Sequence, residues 1–446
     1  MKETNPQPEI NRKVKQPFAM RVQRKNPFAS RICFASARNL FIDTGGNVYP
    51  CCFNRSQAWG NLGINTPAEI ENSIIRQELE ARLSNNLMSD DCSFCRHSIA
   101  AGNYKAAGSM AYDRFFYQRG SFPYSIEFEL DTFCNLNCVM CPENLHSSKP
   151  QFAANKGWTE KLTPWLQNIR WAKFYGGEPF LISIYYEIWE VISEKNPDCI
   201  IKVQTNGTLL NDRIKKVFER GRFQISVSVD SLNAMTYAAM RKGANLEHVL
   251  ANLAYFRQYA QQTGIPADVA VCPMVQNAED IPELYRYCCK KGMYINFNVV
   301  THPKEMSLRY QSATFLKNLI DIYKSTRTES LSFIARQNRR HLMSLIRQLE
   351  SWHNEALILE KIPLLNISRK ELLALLSEKI SPEKRTEISR TIQEALQKTE
   401  ENMQVREDIY KTILALDEQT ILNVISENPG PLLQNFIRNF LKYGPG

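Results

Sequence analysis

Between residues 121 and 305 the chain alternates strand-like apolar runs with amphipathic helical stretches. The runs are Ser125–Asp131, Arg170–Tyr175, Cys199–Thr205, Phe223–Asp230, Ala267–Met274 and Tyr294–Val300. Leu246–Gln262 and Ile281–Lys291 are two of the helical stretches between them. Strands separated by helices pair in parallel through right-handed crossovers, which excludes an all-β or all-helical core. Six such units fall short of a closed ring. The expected fold class is therefore α/β, a partial (β/α)6 TIM-like barrel. Chemistry in such barrels gathers at the C-terminal ends of the strands.

The flanks read differently. In the first 115 residues, Leu40-Phe41-Ile42-Asp43 and Asn47-Val48-Tyr49 surround Thr44-Gly45-Gly46, which predicts a hairpin. Ile70, Ile74, Ile75, Leu79 and Leu83 recur at helical spacing, predicting a helix over Pro67 to Leu83. This gives a small cysteine-rich α+β module over 1–115, ahead of a barrel over 120–305. Residues 306–446 are rich in Leu, Ile, Glu, Lys and Arg and hold no cysteine. They read as a helical C-terminal domain broken near Pro363, Pro382 and Pro429-Gly430-Pro431. Their Leu/Ile spacing suits either packing on the barrel or a separate interaction domain.

The chain has 446 residues, 43% hydrophobic and 23% charged, the composition of a globular protein with a sizeable core. A net charge of +9 is ordinary surface charge at this length. No basic run interleaves with aromatic residues, so a nucleic-acid partner is not expected. No apolar run reaches the roughly 18 residues of a membrane-spanning helix, so no membrane partner is expected either. The first 31 residues are basic and carry Pro6, Pro8, Pro17 and Pro27 without the apolar core of a secretory signal. The expected location is cytoplasmic. In that compartment, twelve cysteines serve as metal ligands or free thiols more readily than as disulfides.

Three of them follow the first barrel strand as Cys134, Cys138 and Cys141. Three thiolates can hold three irons of a cubane and leave the fourth iron open. Soft ligands select iron–sulfur, zinc or cuprous copper. On spacing alone a zinc knuckle completed by His146 stays in play. The second strand ends in Tyr175-Gly176-Gly177-Glu178-Pro179. Its glycines permit close backbone approach, and Glu178 offers a carboxylate to an ammonium. The third strand ends in Thr205-Asn206-Gly207, and the fourth reads Ser226-Val227-Ser228-Val229-Asp230.

Together these segments resemble the radical S-adenosylmethionine (radical SAM) superfamily, over roughly residues 120–305. The resemblance implies a 4Fe–4S cluster on Cys134, Cys138 and Cys141, whose open iron takes the amino and carboxylate groups of S-adenosylmethionine. It implies cofactor contacts from the Met140 backbone, from Gly176, Gly177, Glu178 and Pro179, and from Asn206, Ser228, Asp230 and Arg241. An aromatic residue is common where Met140 stands. One electron then cleaves the cofactor to a 5′-deoxyadenosyl radical that abstracts hydrogen from a substrate. An electron donor such as flavodoxin or ferredoxin follows as a partner.

Upstream, Cys33, Gly46 and Cys51 are followed by a C-x2-C pair at Cys92 and Cys95. This pattern resembles the SPASM/twitch module, which implies a second, auxiliary 4Fe–4S cluster on Cys33, Cys51, Cys92 and Cys95. Tetrahedral zinc is the competing reading. Cys52 rivals Cys51, which the glycine spacing favours. The module ordinarily follows the barrel, and here it precedes it. The resemblance points to a ribosomally made peptide carrying a leader as substrate, with crosslinking, thioether formation or epimerisation as outcomes. A radical dehydrogenation or rearrangement of a small molecule is the alternative, and a zinc-stabilised RNA-binding protein a remote one. Cys199, Cys288 and Cys289 read as buried apolar thiols. Cys272 lies in the fifth strand run. Facing inward it could return a hydrogen atom to a substrate radical; facing outward it is a core cysteine.

Overall fold

The computed structural model describes residues 31–100, 107–115, 122–141, 147, 149–150, 152 and 157–360. Its strands are β1 (Asn39–Ile42), β2 (Asn47–Tyr49), β3 (Gly60–Asn61), β4 (Ser125–Phe128), β5 (Asn137–Cys138), β6 (Trp171–Phe174), β7 (Ile200–Thr205), β8 (Arg222–Ser228), β9 (Arg241–Lys242), β10 (Asp268–Val271) and β11 (Tyr294–Phe297). Nine of them form one sheet in the order β11-β10-β8-β7-β6-β4-β1-β2-β3. The six from β4 to β11 in this sheet are the six strand runs read from the sequence, each shorter at its C-terminal end or equal. They pair in parallel throughout.

Alternation along each strand separates two faces. On β10, Val269 and Val271 join the main apolar core, while Asp268 turns to the other face. Lys202 on β7 reaches across β8 to Asp268 at 2.5 Å, so that face is concave. Ser183–Lys195, Asp212–Arg220, Leu246–Thr263 and Ile281–Lys291 are helices between strands, each burying apolar residues. Leu246–Thr263 begins on Asn245, whose side chain accepts from the His248 amide, and ends on left-handed Gly264.

The predicted hairpin is present, with Phe41 opposite Tyr49 and Ile42 opposite Val48. Its first strand has a second role that the sequence did not reveal. β1 lies parallel to β4 in full register, from Asn39 opposite Ser125 to Ile42 opposite Phe128. The N-terminal segment thus extends the barrel sheet by three strands. Lys161 Nζ donates to the Leu62 carbonyl and Trp165 Nε1 to Glu71, tying the same segment to the helix Trp158–Leu166.

The single helix expected over Pro67 to Leu83 is two helices, Pro67–Glu71 and Ile74–Ser84. The Asn72 side chain donates back to the Ala68 carbonyl, and a local side-chain bond of this kind ends a helix. Ile70 and Leu83 are buried, but Ile74 is exposed at the break.

Helices Ala313–Ser325 and Phe333–Glu360 pack on each other and on the barrel. Tyr323 donates to the Ala278 carbonyl. Asn338 accepts from the Ile295 amide and donates to the Met293 carbonyl. These helices share the barrel core. The breaks read near Pro363, Pro382 and Pro429 lie outside the described residues. Among the described residues no helix is long and apolar enough to cross a membrane.

Candidate functional site

Cys134, Cys138 and Cys141 follow β4, with Cys141 exposed and the other two half-buried. The loop is fixed at several points. Cys134 N–H donates to the Ser147 carbonyl, and Cys141 N–H to the Cys138 carbonyl. β5, which contains Cys138, pairs antiparallel with β9, which contains Arg241. Each thiol acts electrostatically on a neighbour in the set, Cys134 on Cys141, Cys141 on Cys138 and Cys138 on Cys134. Burial pushes all three thiols above their ordinary range. A metal that binds them as thiolates must displace their protons.

Donors point at the sulfurs. Asn206 Nδ2 lies 3.7 Å from Cys134 Sγ, and Arg241 Nη1 lies 3.9 Å from Cys138 Sγ. Donors of this kind offset the negative charge of cluster thiolates. Among the described residues no three His, Cys, Asp or Glu side chains converge on one ion. Cubane ligands bind separate irons and need not converge. The soft donor set and the donors facing it fit an iron–sulfur cluster. His146 lies outside the described residues.

The Gly176-Gly177-Glu178-Pro179 segment abuts this loop. Gly177 N–H donates to the Asp131 carbonyl and Glu178 N–H to the Phe133 carbonyl. A Cβ on Gly177 would sit 1.9 Å from the Phe133 oxygen, and one on Gly176, at φ +121, 2.2 Å from the Asp131 oxygen. Only glycine lets the two backbones approach this closely. Glu178 is wholly buried. One carboxylate oxygen accepts from Thr205 Oγ1 at 2.8 Å and Phe180 N–H at 3.2 Å, and the other from Asn206 N–H at 2.8 Å. Burial still raises its pKa to about 7 against these donors. Glu178 therefore braces the ends of β6 and β7 from within. Pro179 opens the short 3-10 turn Pro179–Leu181.

At the far side of the rim, Asp230 is buried with both carboxylate oxygens engaged. Oδ2 accepts from Arg241 Nε at 2.6 Å and Oδ1 from Cys272 N–H at 2.7 Å. Asn277, which sequence reading did not single out, donates to the Asp230 and Cys272 carbonyls. Ser228 ends β8 beside Ala270. Cys272 follows β10 on the concave side. Burial and then Asp230 push its thiol to about 12, and Cys138 and Cys141 act on it too. Val139, Met140 and Cys272 pack against Met240, Met274 and Val300. Cys272 thus faces the cysteine loop and not the helical layer.

The N-terminal thiols also assemble. Cys33 feels Cys95 and Cys92, and Cys51 feels first the adjacent Cys52, then Cys33 and Cys95. Cys33, Cys51 and Cys95 share one apolar cluster with Ile32, Leu83, Tyr112 and Phe115. Donors surround them too. The Ala35 amide lies 3.4 Å from Cys33 Sγ, Ser89 Oγ 3.5 Å and Asn54 Nδ2 3.6 Å from Cys92 Sγ. The Gly108 and Ser109 amides act on Cys95. Cys52 points elsewhere, toward Glu127, Lys173 and Tyr175.

Glu127 was missed by motif reading. Its carboxylate accepts from Tyr112 at 2.6 Å, Tyr175 at 3.1 Å and Asn39 Nδ2 at 3.2 Å, with Lys173 Nζ at 3.6 Å. Tyr112 borders the N-terminal thiols, and Tyr175 precedes the glycine pair. An acid among the buried residues Ser125–Phe128, followed by Glu129 and Asp131, was the available signal.

Residues 129–288 match the family model of the Radical SAM superfamily. The chain carries a radical SAM domain. The chain is 34% identical over 122 residues to GTP 3′,8-cyclase 2 of Mycobacterium tuberculosis, covering 27% of this chain and 33% of that protein. It is 27% identical over 199 residues to a probable GTP 3′,8-cyclase of Methanocaldococcus jannaschii, covering 44% and 65%. The chain therefore spans about a third of the mycobacterial relative. Among solved structures, Streptococcus suis SuiB bound to S-adenosylmethionine aligns with TM-score 0.37 at 16% identity, over 60% of this chain and 64% of that one. AdoMet-bound anSMEcpe aligns with TM-score 0.34 at 20% identity, over 45% and 60%.

Proposed function

We propose that this protein is a radical SAM enzyme that abstracts hydrogen from a peptide substrate. The observation that carries the enzyme reading is the rim itself. The Cys134, Cys138 and Cys141 loop follows β4 and is held to the Gly176-Gly177-Glu178 backbone after β6, with Asn206 after β7 donating to Cys134 and Arg241, paired antiparallel beside Cys138, donating to that sulfur. Loaded with a 4Fe–4S cluster and S-adenosylmethionine, this site supplies a 5′-deoxyadenosyl radical.

The chain's own residues hold and shape that site. Cys134, Cys138 and Cys141 ligate, and exposed Cys141 leaves one side of the loop open to a cofactor. Gly176 and Gly177 keep the second strand end against the loop, with backbone groups available to the methionine moiety. Glu178 fixes those strand ends from below. Met140 and Val139 line the apolar edge beside Cys272. In an epimerisation, Cys272 on the same side as the cysteine loop returns a hydrogen atom to the substrate radical and becomes a thiyl, which one electron from the flavodoxin- or ferredoxin-type donor and one proton restore.

The peptide reading rests on the second thiol group, which fits an auxiliary 4Fe–4S cluster on Cys33, Cys51, Cys92 and Cys95. A leader peptide and a flavodoxin- or ferredoxin-type donor complete the expected partners. The GTP 3′,8-cyclase relatives favour a second reading, a nucleotide or other small molecule as substrate. The test is anaerobic reconstitution followed by mass spectrometry. 5′-Deoxyadenosine formed on reduction with S-adenosylmethionine supports the enzyme reading, and its absence sinks it. A mass change in a co-expressed peptide supports the peptide reading. Turnover of GTP with no peptide change replaces it with the second.

A further inference from the structure

Arg241 is the charged side chain that points a donor at Cys138 Sγ, and Asp230 is its ion-pair partner. Three restraints hold the guanidinium. Its backbone is paired to Cys138 across β5 and β9. Nε donates to Asp230 Oδ2 at 2.6 Å, and Nη1 lies 3.9 Å from Cys138 Sγ. Asp230 is held in turn by the Cys272 amide and, through its carbonyl, by Asn277. Arg241 and Asp230 are both less than a tenth exposed. A charge pair buried at fixed distance from a redox centre acts through weakly screened Coulomb forces.

We propose that Asp230 and Arg241 form a fixed charge pair that sets the reduction potential of the rim cluster. This rests on the reading that Cys134, Cys138 and Cys141 hold that cluster. The step concerned is transfer of one electron from a low-potential donor, with no bond made or broken. The added electron increases negative charge shared with the thiolate sulfurs. Arg241 stabilises that charge and raises the potential. Asp230 holds the guanidinium at Nε, carries the opposite sign and so lowers the potential, and keeps the guanidinium turned toward Cys138. Both are positioning residues in this role, which is separate from any contact of Arg241 with cofactor.

The two signs differ, and that makes the idea testable. Full-length protein is reconstituted anaerobically, iron and sulfide are counted, and the cluster is titrated with dithionite while electron paramagnetic resonance is recorded. No S-adenosylmethionine is present during titration. The rim signal is identified as the one removed by Cys138→Ala. Arg241→Gln is expected to shift its midpoint to lower potential, Asp230→Asn to higher potential, and Arg241→Lys to restore most of the Gln shift. If Arg241→Gln loses its cluster, Asp230→Asn and Arg241→Lys carry the test. A higher midpoint in the first with little change in the second supports the proposal. Shifts in one direction for Gln and Asn, or no shift with the cluster retained, overturn it. Absence of any Cys138-dependent signal in the unaltered protein overturns both this proposal and the rim-cluster reading. A signal whose potential ignores the variants overturns the tuning alone.

Discussion

The two thiol groups are built on opposite plans. The rim set comes from a single loop of eight residues, Cys134 to Cys141, and its last member is exposed. The N-terminal set comes from separate elements. Cys33 precedes the helix Ala35–Arg38, Cys51 follows β2, and Cys92 and Cys95 lie on the turn and helix at Asp90–Ala100. Three of these four are buried. A contiguous loop leaves one side free for a ligand, whereas ligands drawn from several directions enclose what they bind. That is the distinction between catalytic and structural metal sites. On the proposed function, bond-breaking belongs to the rim, and electron storage or architecture to the N-terminal group.

The sharpest break would come from replacing Cys134, Cys138 and Cys141 by Ala together. The expected result is complete loss of 5′-deoxyadenosine formation by chromatography, with iron on the N-terminal thiols retained. Replacing Cys92 and Cys95 should do the reverse, abolishing substrate modification while 5′-deoxyadenosine still forms. Loss of cofactor cleavage in that second variant, with the rim cluster intact by spectroscopy, would erase the division of labour.

Next in size is Gly177→Ala. Its Cβ would collide with the Phe133 carbonyl, and displacing the loop by about 1 Å is expected to lower cleavage rate about 100-fold. An unchanged rate would show that this close approach is not required. Cys51→Ala should cost the N-terminal iron, while Cys52→Ala should keep it, since Cys52 faces Glu127 and Tyr175. Equal iron loss in both would return the choice of ligand to open.

The smallest effect concerns Glu178. Its folded pKa of about 7 lies above the ordinary 4.5, so from about pH 4.5 to 7 the folded chain keeps a proton that the unfolded chain releases. Stability then falls as pH rises through that window. The melting temperature of Glu178→Gln should fall less between pH 5 and 7 than that of the unaltered protein. Parallel curves would remove Glu178 as the source.

The barrel was legible because its strands carry apolar residues at every second position and the helices between them have a different period. Cys33, Cys51, Cys92 and Cys95 were read as a set through a family resemblance, with Cys52 as rival to Cys51, and Cys33, Cys51 and Cys95 share one apolar cluster. Periodicity did not expose the parallel pairing of Asn39–Ile42 with Ser125–Phe128, since no local signal encodes a strand's distant partner. Nor could it show where Glu178 and Asp230 spend their oxygens, because Thr205, Asn206 and Arg241 meet them only through tertiary packing. The register of Cys272 was open by one residue, and a one-residue slip reverses a side chain's face.

That pairing of β1 with β4 has a kinetic consequence. Electron tunnelling rates decay steeply with separation. Neighbouring strands stand about 4.8 Å apart under backbone hydrogen bonds, which makes the sheet a stiff spacer. Were both thiol groups loaded, the gap between their redox centres would be set by main-chain geometry and not by a swinging linker. At a fixed gap, exchange between them would answer to driving force and reorganisation energy, so the potentials of the two centres become an adjustable gear in the machine.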